Sequence, residues 1–298
     1  MMEDTLKLSD GRLLAYGIYG NRNGFPILDF HGIPGSRREA ALIEKYLARE
    51  DICFIGLDRP GCGHSSPKSN SNLTTFGADV RALLDHLGIE RFAALGYSGG
   101  GPYALACASQ MPTRMAALAL VSSLGPPEIG AQDMIANNRE KFNLAQRMPW
   151  LARLMLWWVF SSLRRDPQRL KKQLQKIWQQ MPAPDRQVLQ QDQFFADSML
   201  AITQDALALG VGGWVDEEVM AAQPWGVDPR TLRMAHVQLW HGGMDHNVPV
   251  AMGQALAAQI PGCQTHILPE EGHISLLYKY GQEIVENLIE AGFRQTSS

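Results

Sequence analysis

Cysteine is scarce: there are four in 298 residues, at positions 53, 62, 107 and 263, and no two of them form a C-x-x-C pair. That spacing is not that of a zinc ribbon, and free thiols in a reducing compartment are expected rather than disulfides or metal ligands. Neither sign of charge dominates, with 27 Lys and Arg against 30 Asp and Glu for a net charge of −3. A dedicated nucleic-acid partner, which calls for a basic excess, is therefore not expected. Long hydrophobic runs are missing too. The longest uncharged apolar stretch, around Leu154–Leu163, falls far short of the about 20 residues of a spanning helix, so no stable membrane insertion is expected. The start, Met1-Met2-Glu3-Asp4-Thr5, has no basic segment leading into an apolar one. No secretory leader is expected there, and the chain reads as soluble and cytoplasmic. His241 and His246 stand near Asp245, but no third and fourth ligand follow at metal spacing and no H-E-x-x-H occurs, so no metal site is expected.

What is present is ample core material, with 45% hydrophobic and 19% charged residues. The length suits about two domains, or one large domain carrying an insertion. Thr5–Leu8 and Arg12–Tyr19 read as strands around the turn Ser9-Asp10-Gly11. Short apolar runs at Pro26–Phe30, Ile52–Leu57, Phe92–Leu95 and Met115–Val121 then alternate with helical spacings. These helices cover Arg38–Arg49, Asn72–Leu87 (Asn72 as N-cap) and Gly100–Ser109. The alternation stops at Pro126-Pro127 and resumes with the strand His236–Trp240, the helix Val250–Ile260, the strand Gln264–Leu268 and the helix Ser275–Ala291. Continuous apolar strands separated by helices predict a parallel sheet covered on both faces. Between Pro127 and Pro229 only helical segments are legible. The expected organisation is one α/β core, residues 1–126 and 230–298, split by a helical cap over residues 127–229.

Gly96-Tyr97-Ser98-Gly99-Gly100 matches G-x-S-x-G, with a strand before it and a helix directly after. Such a tight strand-to-helix turn strains its central residue and crowds the flanking positions, where glycine has no Cβ to clash. Ser98 is thereby held at the C-terminal edge of the sheet, where open α/β sheets bind ligands. A serine hydroxyl needs a base, and the base needs an acid to orient it. Asp245 follows the strand His236–Trp240, and His273 follows the strand Gln264–Leu268. The chain order Ser98, Asp245, His273 is that of a nucleophile, an orienting acid and a general base. Glu128, after an earlier strand, is the nearest alternative acid. Acyl transfer also needs two donors for the developing oxyanion. The backbone N–H of Gly99 is one expectation. The N–H of Ile33, in the loop His31-Gly32-Ile33-Pro34-Gly35-Ser36, is the other, since Pro34 has no N–H.

At these residues the chain resembles the α/β-hydrolase fold superfamily. The matching segments are His31-Gly32-Ile33-Pro34-Gly35, Asp58-Arg59-Pro60-Gly61-Cys62-Gly63-His64-Ser65, Gly96–Gly100, Gly242-Gly243-Met244-Asp245 and Glu271-Gly272-His273. The resemblance implies an eight-stranded, mostly parallel sheet, a helical cap between strands 6 and 7, and no cofactor. It also implies a small-molecule substrate, with the oligomeric state left open. Ser98 stands where similar epoxide hydrolases and dehalogenases have Asp. Ile33 and Gly99 depart from the pattern of proline iminopeptidases. Esterases, lactonases, carbon–carbon bond hydrolases, perhydrolases and acyltransferases all suit a serine here. The reading favoured is a cofactor-independent hydrolase of an ester, thioester or lactone with an apolar acyl or aromatic group. A carbon–carbon bond hydrolase, or a ligand receptor with little turnover, are the alternatives.

Six of the seven tryptophans fall in the insertion, at 150, 157, 158, 178, 214 and 225. They are expected to pack the cap core or roof the pocket. Arg164, Arg165, Arg169, Lys171, Lys172 and Lys176 form a basic stretch, expected to be a solvated helix face or an attractor of anionic substrates or membrane surfaces.

Overall fold

The computed structural model describes residues 2–47 and 49–294. Ala48, inside the expected helix over 38–49, lies outside them, as do Met1 and residues 295–298. Eight strands form one sheet: β1 (Met2–Lys7), β2 (Leu13–Gly20), β3 (Phe25–Phe30), β4 (Ile52–Leu57), β5 (Phe92–Tyr97), β6 (Met115–Val121), β7 (Val237–Gly242) and β8 (Gln264–Leu268). Their order is β1-β2-β4-β3-β5-β6-β7-β8. β1 with β2 and β2 with β4 run antiparallel, and the other five pairings are parallel.

The core helices are α1 (Glu39–Leu47), α2 (Leu73–His86), α3 (Gly101–Gln110), α10 (Val250–Gln259) and α11 (His273–Arg294). Between β6 and β7 the chain passes through α4 (Ala136–Arg147), α5 (Pro149–Arg165), α6 (Pro167–Gln180), α7 (Ala183–Gln191), α8 (Gln193–Ala206) and α9 (Gly212–Ala221). All six lie in the segment between β6 and β7 where the cap is expected.

Strands β4, β5 and β6 are buried along their whole length, as continuous apolar runs with helices on both faces require. The period-two rule divides their side chains. Phe54, Leu95, Ala119 and Val121 pack with α1 and α11. Ile55, Ala94, Leu118 and Leu120 pack with α2 and α3. Asn72 caps α2 in a reciprocal box, its side chain accepting from Thr75 N while Thr75 Oγ1 accepts from Asn72 N. The sequence places β1 three residues too late. The strand begins at Met2 because backbone pairing with β2, register Met2↔Ile18, carries it past the polar residues. α11 likewise starts at His273, two residues before the expected start.

The tryptophans of the cap divide unequally. Trp214 is buried and stacks on Phe160 at a centroid distance of 3.8 Å, and Trp225 is buried. Trp150, Trp157 and Trp158 are 65%, 51% and 74% exposed. The expectation that the tryptophans pack the cap core or roof the pocket therefore needs correcting for Trp150 and Trp157, which do neither, whereas Trp158, though exposed, borders the cavity that opens on Ser98. α5 turns Leu156, Phe160 and Leu163 inward instead.

Candidate active site

The turn after β5 is built as its glycines require. Ser98 has φ +54°, in the left-handed region that a non-glycine residue enters only under constraint. A Cβ on Gly100 would collide with the Phe30 carbonyl, and one on Gly96 would come within 2.8 Å of Ala104 Cβ. Residues 98–100 make one 3-10 turn that runs into α3.

The structure brings Ser98, His273 and Asp245 together. Ser98 Oγ lies 3.1 Å from His273 Nε2, and His273 Nδ1 lies 2.7 Å from Asp245 Oδ2. With the hydrogen on Nδ1, the imidazole donates to the carboxylate and accepts from the serine hydroxyl. The other oxygen of Asp245 accepts from the N–H groups of Asn247 and Val248, at 2.8 and 2.9 Å, which locks its orientation. Glu128 is exposed on a short turn after β6 and is not the partner of His273. His241 Nε2 stands 2.9 Å from Val248 O and 3.4 Å from Asp245 Oδ2, a bracing role beside the acid. Among the described residues no group of three or more His, Cys, Asp or Glu is placed to hold a metal ion.

Burial opposes ionisation of Asp245. The His273 charge and the hydrogen bonds from His241 and His273 outweigh it, so the carboxyl sits well below its ordinary range. Burial pushes His273 down, but the Asp245 charge and hydrogen bond, with Asp185 and Glu39 beyond, raise it above the ordinary histidine value.

Ile33 packs directly on Gly99, where a Cβ would strike the Ile33 side chain. The two expected oxyanion donors therefore belong to adjoining backbone beside Ser98. Three charged side chains that sequence reasoning did not single out hold this region. Glu39, at the start of α1, accepts the Gly32 N–H with both carboxylate oxygens, at 3.1 and 3.2 Å. Burial raises its pKa to about 7, against the pull of the Gly32 N–H, Arg59 and His273. Arg59 donates to the carbonyls of His31 and Gly32 at 2.6 and 2.8 Å and is paired with Glu217 of α9. Asp185, in α7, accepts the N–H groups of His273, Ile274 and Ser275, each at 2.9 Å. It thus serves as N-terminal acceptor for α11, the helix that carries the imidazole.

A cavity of about 430 Å³ bordered by α4, α5 and α6 opens on Ser98 and His273. Its lining includes the apolar Leu156, Phe160, Leu163, Leu170, Leu174 and Ile177, together with the charged Glu140, Lys141, Arg169 and Glu218. A smaller cleft of about 70 Å³, bordered by Ile33, Gly99, Asn138 and Asn247, also reaches Ser98.

A family model described as alpha/beta hydrolase fold matches residues 26–280. A dihydrolipoyllysine-residue acetyltransferase component of an acetoin cleaving system from Pseudomonas putida is 36% identical over 39% of this chain and 31% of its own. A non-heme chloroperoxidase from Streptomyces lividans is 33% identical over 41% of this chain and 45% of its own. The chain thus spans less than half the length of these curated relatives. An esterase from Exiguobacterium antarcticum superposes with a TM-score of 0.68 at 17% identity, covering 97% of this chain and 99% of the other, a likeness of fold.

Proposed function

The chain belongs to the α/β-hydrolase fold family, and on that premise we propose that it is a serine hydrolase of carboxylic esters, thioesters or lactones with an apolar acyl or aromatic group. Ser98 is the nucleophile, His273 the general base and acid, and Asp245 the orienting carboxylate. The observation that carries this reading is the unbroken chain of contacts Ser98 Oγ, His273 Nε2, His273 Nδ1, Asp245 Oδ2, at 3.1 and 2.7 Å, behind a strained serine.

His273 takes the hydroxyl proton as Ser98 attacks the carbonyl carbon. The tetrahedral oxyanion is held by the N–H groups of Ile33 and Gly99. Collapse expels the alcohol, thiol or ring oxygen, which receives the proton from His273. Water, deprotonated by the same imidazole, then cleaves the acyl-enzyme and frees Ser98. We assign residues 127–229 as the cap. The apolar part of the substrate fills the larger cavity under it and the smaller part the 70 Å³ cleft.

Ser98→Ala tests this. Turnover of p-nitrophenyl esters should fall by at least about 10⁴-fold, with circular dichroism and Tm unchanged. Retained turnover in a folded variant contradicts the assignment.

A further inference from the structure

Apart from Arg153, which pairs with Asp216 of α9, the outer face of α5 is apolar and open. Trp150, Leu154 and Trp157 are 65%, 61% and 51% exposed and recur at helical spacing along it. Met155, Trp158 and Val159 continue the patch and also line the catalytic cavity. The face is therefore continuous with the cavity mouth. An apolar patch of this kind on a soluble domain marks a contact surface.

Charge decides what it contacts. From Pro149 to Gln180 there are seven cationic side chains and a single acid, Asp166, in a chain whose net charge is −3. Asp166 is engaged in capping α6. Arg165, Lys171, Lys172 and Lys176 are all exposed, and among the described residues none of them pairs with a carboxylate. A second copy of the chain docked on this face about a two-fold axis would bring like charge against like. An anionic lipid surface complements both halves: tryptophan and leucine enter the headgroup boundary while lysine and arginine meet lipid phosphates.

We propose that the exposed face of α5, flanked by the basic helix α6, docks the protein peripherally on anionic lipid with the cavity mouth turned to the bilayer. Docking is independent of catalysis, so it is measured on Ser98→Ala protein and stands apart from the hydrolase reading. The probe is co-sedimentation with vesicles of phosphatidylcholine alone and of phosphatidylcholine with phosphatidylglycerol in equal parts. Wild-type and Ser98→Ala chains should pellet with the mixed vesicles only, and added NaCl should release them. Lys171→Glu/Lys172→Glu/Lys176→Glu should weaken partition by more than about a hundredfold. Trp150→Ser/Leu154→Ser/Trp157→Ser should weaken it by at least about tenfold. None of these six side chains lines the catalytic cavity. The salt series needs no variant and decides the matter even if a triple variant misfolds. The proposal is overturned if the protein stays in the supernatant with mixed vesicles, or binds both vesicle types equally and without salt dependence. It is also overturned if ultracentrifugation shows a dimer that the Trp150→Ser/Leu154→Ser/Trp157→Ser change dissociates, because the patch then belongs to a second copy.

Discussion

As the proposed base, His273 must be neutral to act, and its surroundings raise its pKa above the ordinary histidine value. kcat/KM should therefore climb with pH through a midpoint above about 6.5. A flat profile from pH 5 to 8 counts against His273. Asp245→Asn presents an amide in place of the carboxylate and favours the wrong tautomer, so kcat should fall by about 10⁴-fold. Glu39 gives a second pH signature, this time in stability. Its folded pKa, about 7, lies above its unfolded value. Between these values the folded state binds more protons, so the stabilisation is complete below the unfolded value and is lost as pH rises through about 7. Glu39→Gln keeps an acceptor for the Gly32 N–H but removes this loss. Urea melts should show it more stable than wild type at pH 8, by on the order of 2–3 kcal/mol, with the advantage absent at pH 4. An equal effect at both values rules out titration of Glu39 as the cause.

At the scale of elements, the site depends on how loops and helix ends are held. Arg59 donates to the carbonyl of the Gly32–Ile33 peptide, whose N–H is the proposed oxyanion donor. A positive charge at the oxygen of that peptide strengthens the donor at its nitrogen. Arg59→Met should lower kcat more than it raises KM. It should also destabilise by about 3–5 kcal/mol, because Glu217 is left buried and unpaired. Arg59→Met/Glu217→Leu should recover most of the stability but not kcat. If kcat returns as well, Arg59 acts through packing alone. The same scale shows what the sequence could and could not reveal. Ser98, Asp245 and His273, the residues proposed as catalytic, stand out in the sequence because each follows a short strand whose end is marked by glycine or by a polar turn. Glu217 and Asp185 do not, since their partners lie 158 and 88 residues away. Nothing local distinguishes either acid from a solvated carboxylate on a helix.

For the whole molecule, the eight strands and the place of the helical insertion were legible from the alternation of apolar runs. The exposure of Trp150, Trp157 and Trp158 was not, because composition does not tell an inward helix face from an outward one. The size of the cavity of about 430 Å³ that opens on Ser98 and His273 sets a limit on the substrate of the proposed reaction. KM for p-nitrophenyl esters should fall as the acyl chain lengthens until the cavity is filled. Leu174→Trp, which narrows the cavity at its apolar lining, should reduce kcat/KM for octanoyl esters by about tenfold and leave acetyl esters within about twofold. An equal loss for both chain lengths would place the acyl group elsewhere.

The central claim is that Ser98 is an activated nucleophile. Intact-protein and peptide mass spectrometry after exposure to a fluorophosphonate tests it most directly. One adduct on Ser98 is predicted, forming faster as pH rises through the His273 midpoint, abolished in Ser98→Ala and strongly slowed in Asp245→Asn. No adduct, an adduct on another residue, or labelling that survives Ser98→Ala would contradict it.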